Sequence, residues 1–219
     1  MSDYMEKFSV DLIVFDLDGT LADSLPDLAT AANFACRTLG LPQHPPAAIK
    51  DMIGGGERLF VARFLGPGNE RYLEEGLKLY LEHYSRHCGD LTRLYPGVKE
   101  TLARLSHKKL AVLSNKLQRL TERVLEVMGI LPGFAAVRGG GSLPLKPSPD
   151  PLRAIIRELG RTPARTLMVG DKLADIITGR EAGALTAVVT YGYGDPSSLT
   201  AAAPDVVLSR FSQLTDIVL

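Results

Sequence analysis

The stretch VDLIVFDLDGTLADS, residues 10–24, decides how the rest of the chain is read. A short apolar run, Leu12-Ile13-Val14-Phe15, stops at two acids, Asp16 and Asp18, with one residue between them and Gly19 and Thr20 directly after. The run reads as a strand buried on both faces. Carboxylates at the C-terminal end of such a strand lie on the edge where open α/β sheets bind their ligands. A pair held close together is costly unless a cation neutralises it. The stretch therefore predicts a divalent-metal site with an aspartate free to act as nucleophile. The competing reading is a simple turn, which Asp-Gly also favours.

Working outward, further short apolar runs repeat the pattern at Leu110–Leu113, Phe134–Val137, Leu167–Val169, Leu185–Thr190 and Asp205–Leu208. Helical spacing separates most of them, over Val98–Leu105, Leu120–Met128, the segment opened by Pro149-Asp150-Pro151, and Asp171–Gly183. Strands alternating with helices predict an α/β fold, a Rossmann-like parallel sheet with helices on both faces. The alternation fails between Asp23 and Arg93, where Leu28–Leu39, Ile49–Ile53, Arg58–Leu65 and Tyr72–Tyr84 read as helices and no strand is evident. The expected organisation is a core of residues 1–22 and 94–219 with an α-helical cap, 23–93, inserted after the first strand. A cap entered next to the acids is well placed to act as a lid; the plainer alternative is an ornament that only adds stability.

Four strand ends carry polar residues that a parallel sheet would bring to one edge. They are Asp16, Asp18 and Thr20; Ser114, Asn115 and Lys116; Lys146 in the 139–149 loop; and Gly170, Asp171 and Asp175. Such an inventory suits phosphoryl transfer, which depends mainly on charge compensation and positioning. Asp16, Asp171 and the backbone carbonyl of Asp18 are expected to hold Mg2+, which prefers hard oxygen ligands. Thr20, Ser114, the Asn115 N–H and Lys146 are placed with the phosphate. Asp16 would attack phosphorus, and Asp18 would protonate the leaving oxygen and then activate water. Asp175 is expected to position waters or Lys146, with Gly170 in support. The bland readings are helix caps for Ser114-Asn115 and helix N-terminal acids for Asp171 and Asp175.

These motifs, DLDGT at 16–20, LSN at 113–115, Lys146-Pro147 and GDKLAD at 170–175, resemble those of the haloacid dehalogenase superfamily, in that family's order. The runs IGGGERL at 53–59, YPGVKETLARL at 95–105, SLPLKPSPDPL at 142–152 and TYGYG at 190–194 are most similar to its phosphoglycolate phosphatase branch. The resemblance implies an Mg2+-dependent phosphomonoesterase with Asp16 as nucleophile, Asp18 as acid/base and Asp171 completing the metal shell. The implied substrate is a small phosphorylated metabolite, 2-phosphoglycolate first. A sugar-phosphate or pyrophosphate phosphatase, or a phosphosugar mutase, is the alternative on the same core. A catalytically silent binding or regulatory protein is the alternative of another class, though none of the three acids is missing. Three positions depart from the family pattern, one of them Ser148 where histidine is common. Lys172 stands where a small hydroxyl residue is usual, facing either solvent or the metal, and a third glycine, Gly141, stands where an acid is common.

The remaining features bound the reading. The 219 residues carry 25 basic and 25 acidic side chains, which gives no electrostatic case for nucleic acid or membrane partners. No stretch is apolar enough to span a bilayer, and MSDYMEKFSV has no signal-peptide core, so a cytoplasmic monomer or homodimer is expected. Cys36 and Cys88 read as free thiols, with a disulfide the alternative. Gly54-Gly55-Gly56, with Arg58 behind, is either a substrate-covering loop or an interhelical turn. His83 and His87 sit one helical turn apart without a third ligand, and His44 and His107 match no metal spacing, so surface roles are expected. Tyr191-Gly192-Tyr193-Gly194 lacks the opening helix and third glycine of a dinucleotide fingerprint, and no GK[ST] phosphate loop is present.

Overall fold

The computed structural model describes residues 7–141 and 144–219. Residues 1–6 of the N-terminal segment, and Ser142 and Leu143 at the start of the SLPLKPSPDPL run, lie outside the described residues. Eight strands are described in chain order: β1 Leu12–Phe15, β2 Ala22–Asp23, β3 Arg93–Leu94, β4 Lys109–Leu117, β5 Ala136–Gly140, β6 Thr166–Gly170, β7 Leu185–Val189 and β8 Val206–Leu208. Six form one sheet in the order β5-β4-β1-β6-β7-β8, with every neighbouring pair parallel. The chain leaves β1 toward one side of the sheet and later returns to its other side through β6. The C-terminal end of β1 is therefore the switch point at which open α/β sheets form a crevice.

The helices are α1 Leu25–Thr38, α2 Pro46–Met52, α3 Glu57–Leu65, α4 Leu73–His87, α5 Val98–Arg104, α6 Gln118–Val127, α7 Asp150–Glu158, α8 Leu173–Ala182, α9 Pro196–Ala201 and α10 Leu214–Ile217. Strand side chains alternate in direction, and the two halves of β1 accordingly enter separate cores. Ile13 and Phe15 pack with Val98 and Leu102 of α5, Leu120 and Val124 of α6, and Leu214 of α10. Leu12 and Val14 pack with Leu152, Ile155 and Ile156 of α7 on the opposite face. All four β1 side chains are wholly buried, each contributing about 1.5–3 kcal/mol relative to exposure. This double covering is why the strand carries no polar residue until its end.

Between β2 and β3 only helices occur, α1 to α4, as the helical spacing predicts. Ala31, Ala32, Ala35 and Cys36 give α1 a face of small buried side chains. Tyr80 and Tyr84 of α4, stacked at 5.7 Å, and Phe60 and Phe64 of α3 supply the bulk of that core. Cys36 and Cys88 are both buried and unpaired. The rings of His83 and His87 lie 4.6 Å apart, tilted by 35°, and His87 pairs with Asp90. His44 is less free than expected, since its Nε2 lies 2.6 Å from the Phe64 carbonyl.

Several boundaries differ from the periodic reading. β4 continues past Leu113 to Leu117 through an irregularity, and β5 ends on Gly139-Gly140 rather than at Val137. Gly139 lies so close to α6 that a Cβ there would sit 2.5 Å from Gln118 Cα, so these glycines serve a close approach and not a loop. The cap junction contains an antiparallel pair, Ala22 with Leu94 and Asp23 with Arg93, too short to leave a period in the sequence. Beside it Asp27 is buried and accepts from the N–H of Leu91 and from both the N–H (2.8 Å) and Oγ1 (2.7 Å) of Thr92, fastening α1 to the returning chain.

Asp27→Ala would leave these donors buried without an acceptor. The expected loss is about 3 kcal/mol, seen as a fall of roughly 10 °C in the thermal midpoint; a midpoint within 2 °C or so of wild type would show that the junction does not depend on this carboxylate.

Candidate active site

Asp16 leaves the end of β1, and Asp171 and Asp175 follow β6, its neighbour in the sheet. Carboxylate oxygens of all three lie within 4.8 Å of one another. Gly170 makes the approach possible: a Cβ there would fall 2.1 Å from the Asp175 carboxyl carbon. Lys146 reaches the group from the loop after β5, its Nζ 2.9 Å from Asp16 Oδ1, 2.7 Å from Asp175 Oδ1 and 2.9 Å from the Leu113 carbonyl. All four side chains are buried.

Each carboxylate is held differently. Asp16 Oδ1 also accepts the Leu17 N–H, while no hydrogen bond among the described residues reaches its Oδ2. Asp175 Oδ2 accepts the N–H groups of Asp171 and Lys172 at the start of α8, so both its oxygens are engaged. Asp171 lies beneath the cavity floor, wholly buried, and accepts from the Tyr193 N–H (2.7 Å) and the Thr20 hydroxyl (3.3 Å). Burial, reinforced by the neighbouring carboxylates and opposed by Lys146, pushes Asp16 up to about 6. Burial, with Asp16 and Asp175 adding to it, pushes Asp171 to about 7. Burial works against the Lys146 charge, but Asp16 and Asp175 outweigh it and hold the ammonium above its ordinary range.

Three carboxylates around one ammonium leave a formal surplus of two negative charges in a buried site. A hard divalent cation answers that surplus with the right ligand chemistry, and the donor set therefore fits Mg2+. Asp16, with Oδ2 unengaged, and Asp171 could hold it, whereas Asp175 is spent on the Lys146 ammonium and the α8 N-terminus. The side chain of Asp18 is directed elsewhere. Its Oδ1 accepts from Ser24 Oγ at 2.5 Å and lies 3.0 Å from Lys116 Nζ, and its Oδ2 receives no hydrogen bond among the described residues.

A cavity of about 280 Å³ opens above Asp16, Asp18, Ser114, Lys116 and Lys146, roofed by Ile53, the 54–56 glycines, Phe60 and Tyr80 of the cap. Ser114 Oγ accepts the Lys116 N–H, which leaves its own proton free for a ligand. The Asn115 side chain grips the Lys146 peptide reciprocally, Oδ1 to N–H at 2.7 Å and Nδ2 to carbonyl at 2.9 Å, and so fixes the lysine.

Two residues expected to contact the phosphate or substrate are not brought to the cavity. Thr20 is wholly buried and gives its hydroxyl to Asp171, so its place is behind that acid and not on a phosphate. Arg58 is exposed and paired with Glu74 at 2.5 Å. The neighbouring Glu57 opens α3 pointing inward, its Oε1 accepting the Leu117 N–H at 2.8 Å, and one residue further round a 3.6-residue turn faces away. Sequence reasoning missed Glu57, and it read Lys116 only as part of a motif. Lys172, left open between solvent and metal, turns to the cap and donates to the Ile53 carbonyl.

A six-stranded parallel sheet with buried acids and a lysine at its C-terminal edge, closed over by an inserted helical unit, defines a hydrolase of the phosphoryl-transfer type. The chain belongs to the haloacid dehalogenase-like hydrolases, whose family model matches residues 13–189. It is 40% identical over 217 residues to a phosphoglycolate phosphatase of Haemophilus influenzae, covering 94% of this chain and 97% of the relative. Identity to the phosphoglycolate phosphatase of Aquifex aeolicus is 37%, over 93% of this chain and 94% of that one. Among solved structures, a predicted phosphoglycolate phosphatase from Haemophilus somnus 129pt superposes with a TM-score of 0.88 at 33% identity, covering 95% and 97% of the two chains. The chain is a phosphoric monoester hydrolase. Among the described residues no helix is long and apolar enough to cross a membrane.

The raised acids give a pH signature. Folded Asp16 and Asp171 retain protons that the unfolded chain, with carboxyls near 3.8, releases. The metal-free fold should therefore lose stability as pH rises from about 4 to 7. Added Mg2+ should raise the thermal midpoint, more at pH 8 than at pH 5, and Asp171→Asn should remove most of that gain. A midpoint insensitive to Mg2+ at pH 8 would overturn the metal assignment.

Proposed function

We infer that the protein hydrolyses 2-phosphoglycolate to glycolate and inorganic phosphate through an aspartyl-phosphate, with Mg2+ as cofactor. The observation that carries this reading is the buried group of Asp16, Asp171, Asp175 and Lys146 under a small cavity, in a chain whose near-full-length relatives bear that substrate in their names. When bound at Asp16 and Asp171, Mg2+ supplies charge compensation for the phosphoryl oxygens and the acids around them.

Asp16 has one oxygen fixed by Leu17 N–H and Lys146 and the other unengaged, which is the arrangement of an oriented nucleophile. Oδ2 attacks phosphorus and the bond to the alcohol oxygen breaks. Asp18 Oδ2 delivers its proton to that oxygen, and the carboxylate left behind is steadied by Ser24 and Lys116 on Oδ1. In the second half Asp18 takes a proton from water, the water oxygen attacks phosphorus, and Asp16 leaves as a free carboxylate. The Ser114 hydroxyl, the Asn115 N–H and Lys146 bind the phosphoryl oxygens throughout. A silent relative would be expected to lose an essential acid, and Asp16, Asp18 and Asp171 are all present.

Phosphate release from 2-phosphoglycolate with Mg2+ tests the scheme. Asp16→Asn should lower kcat by on the order of 10⁴-fold or more, with the fold retained. Asp18→Asn should cost about 10²–10⁴-fold, and less on p-nitrophenyl phosphate, whose leaving group needs little protonation. Turnover by Asp16→Asn near the wild-type rate would exclude the aspartyl-phosphate route.

A further inference from the structure

Lys116 is a buried cation that the catalytic scheme leaves without a substrate role. It stands two residues beyond Ser114 on the extended end of β4, and its Nζ meets the Tyr84 hydroxyl of α4 at 2.7 Å, lies 4.3 Å from the centre of that ring, and is 3.0 Å from Asp18 Oδ1. An ammonium has three donors, and these contacts occupy two. Burying such a charge is expensive, and a pairing with Asp18 alone does not explain why the cation also lines the cavity.

Resting on the reading of 2-phosphoglycolate as substrate, we propose that Lys116 is the residue that binds the substrate's carboxylate, making an anionic group one carbon from the phosphate ester oxygen the feature this site selects. Geometry sets the order of groups along the substrate. The phosphoryl end lies at Asp16, Ser114 and Lys146. The ester oxygen must lie within hydrogen-bond reach of Asp18. Because Lys116 Nζ is 3.0 Å from the other oxygen of Asp18, a group one or two bonds beyond the ester oxygen falls within its reach.

Other candidates for that task are committed. Lys146 is held at the phosphoryl end of the cavity by Asp16, Asp175 and the Leu113 carbonyl. Lys172 is bonded to the Ile53 carbonyl on the cap side. Arg58 faces Glu74 outside the cavity. The wall beyond Asp18 is otherwise formed by Leu28, Ile53, Phe60 and Tyr80, against which an unpaired carboxylate would be strongly disfavoured. Glu57, the acid of the cap in this cavity, has its Oε1 turned to the Leu117 N–H. The specificity cation thus comes from the core strand, and the cap contributes Tyr84 to orient it.

The test compares kcat/KM for 2-phosphoglycolate and for ethyl phosphate, which keeps the ester and lacks the carboxylate. Wild type should prefer 2-phosphoglycolate by at least 30-fold or so, and Lys116→Met should cut that preference by about 30-fold. Any disturbance of Asp18 by the same substitution lowers both substrates and cancels in the ratio. Equal losses on both would overturn the carboxylate role while leaving the phosphatase reading intact. A wild-type enzyme without preference for 2-phosphoglycolate would overturn both readings. Tyr84→Phe, which keeps the ring, decides the case if Lys116→Met does not fold: it should lower the preference for 2-phosphoglycolate over ethyl phosphate several-fold, any shared loss through Asp18 cancelling, and an unaltered ratio would sink the proposal.

Discussion

The structure is organised around surplus negative charge that it cannot avoid burying. Asp16, Asp171 and Asp175 converge because adjacent parallel strands end at one edge, and Lys146 answers only part of their charge. The backbone around them is shaped to the same constraint. A Cβ on Gly19, at φ +87°, would sit 2.2 Å from Asp171 Oδ2, one on Gly192 would sit 2.4 Å from Asp171 Cβ, and one on Gly194 would sit 2.0 Å from its carbonyl oxygen. Main chain at Gly19 and Gly192 thus closes on this side chain, and Gly194 on the same residue's backbone, so that burial raises the proton affinity of the carboxylate. The TYGYG run, negative evidence for a nucleotide fold when read as sequence, is the wall of this enclosure.

Tyr193 joins that wall to the cap. Its N–H donates to Asp171, and its hydroxyl accepts the N–H groups of Ser24 (2.8 Å) and Leu25 (2.9 Å) while donating to Asp23. The first helix of the cap has no side-chain cap of its own, so a tyrosine from the far side of the sheet satisfies donors that a local residue would usually take. Asp18 shares the arrangement, because Ser24, the residue that opens α1, also donates to its Oδ1. The entrance to the cap and the Asp18 side chain are therefore fixed by one short segment, residues 22–25.

The sheet and most of the candidate site were legible because their signals are local. Apolar runs ending in acids, glycines and a lysine mark strand ends, and parallel topology carries those ends to one edge without further information. What was not legible depends on which way a side chain turns once two distant segments meet. Glu57 and Arg58 are adjacent polar residues at a helix start, and only the position of α3 over Leu117 decides that the first points in. Thr20 and Ser114 are both hydroxyls at strand ends beside the buried acids, yet one faces Asp171 beneath the floor and the other the cavity. Lys116 sits in a motif whose neighbours explain themselves, and its partner Tyr84 lies 32 residues earlier in the chain, on another body of structure.

The cap meets the core in two unlike ways. Its own interior is apolar, built from Phe60, Phe64, Tyr80 and the alanine face of α1, and water entering it would cost heavily. The bonds across the cleft are polar and few: Lys172 to the Ile53 carbonyl, the Leu117 N–H to Glu57, and Lys116 to the Tyr84 hydroxyl. Exchanging a typical hydrogen bond for one to water costs only about 0.5–1.5 kcal/mol net. Beside these bonds cap and core share one apolar cluster, in which Leu28, Phe60 and Tyr80 join Leu120 and Val124. All three core partners also sit within three residues of Ser114 or Asp171, so the residues that seat the cap are carried by the same strand ends that carry the chemistry.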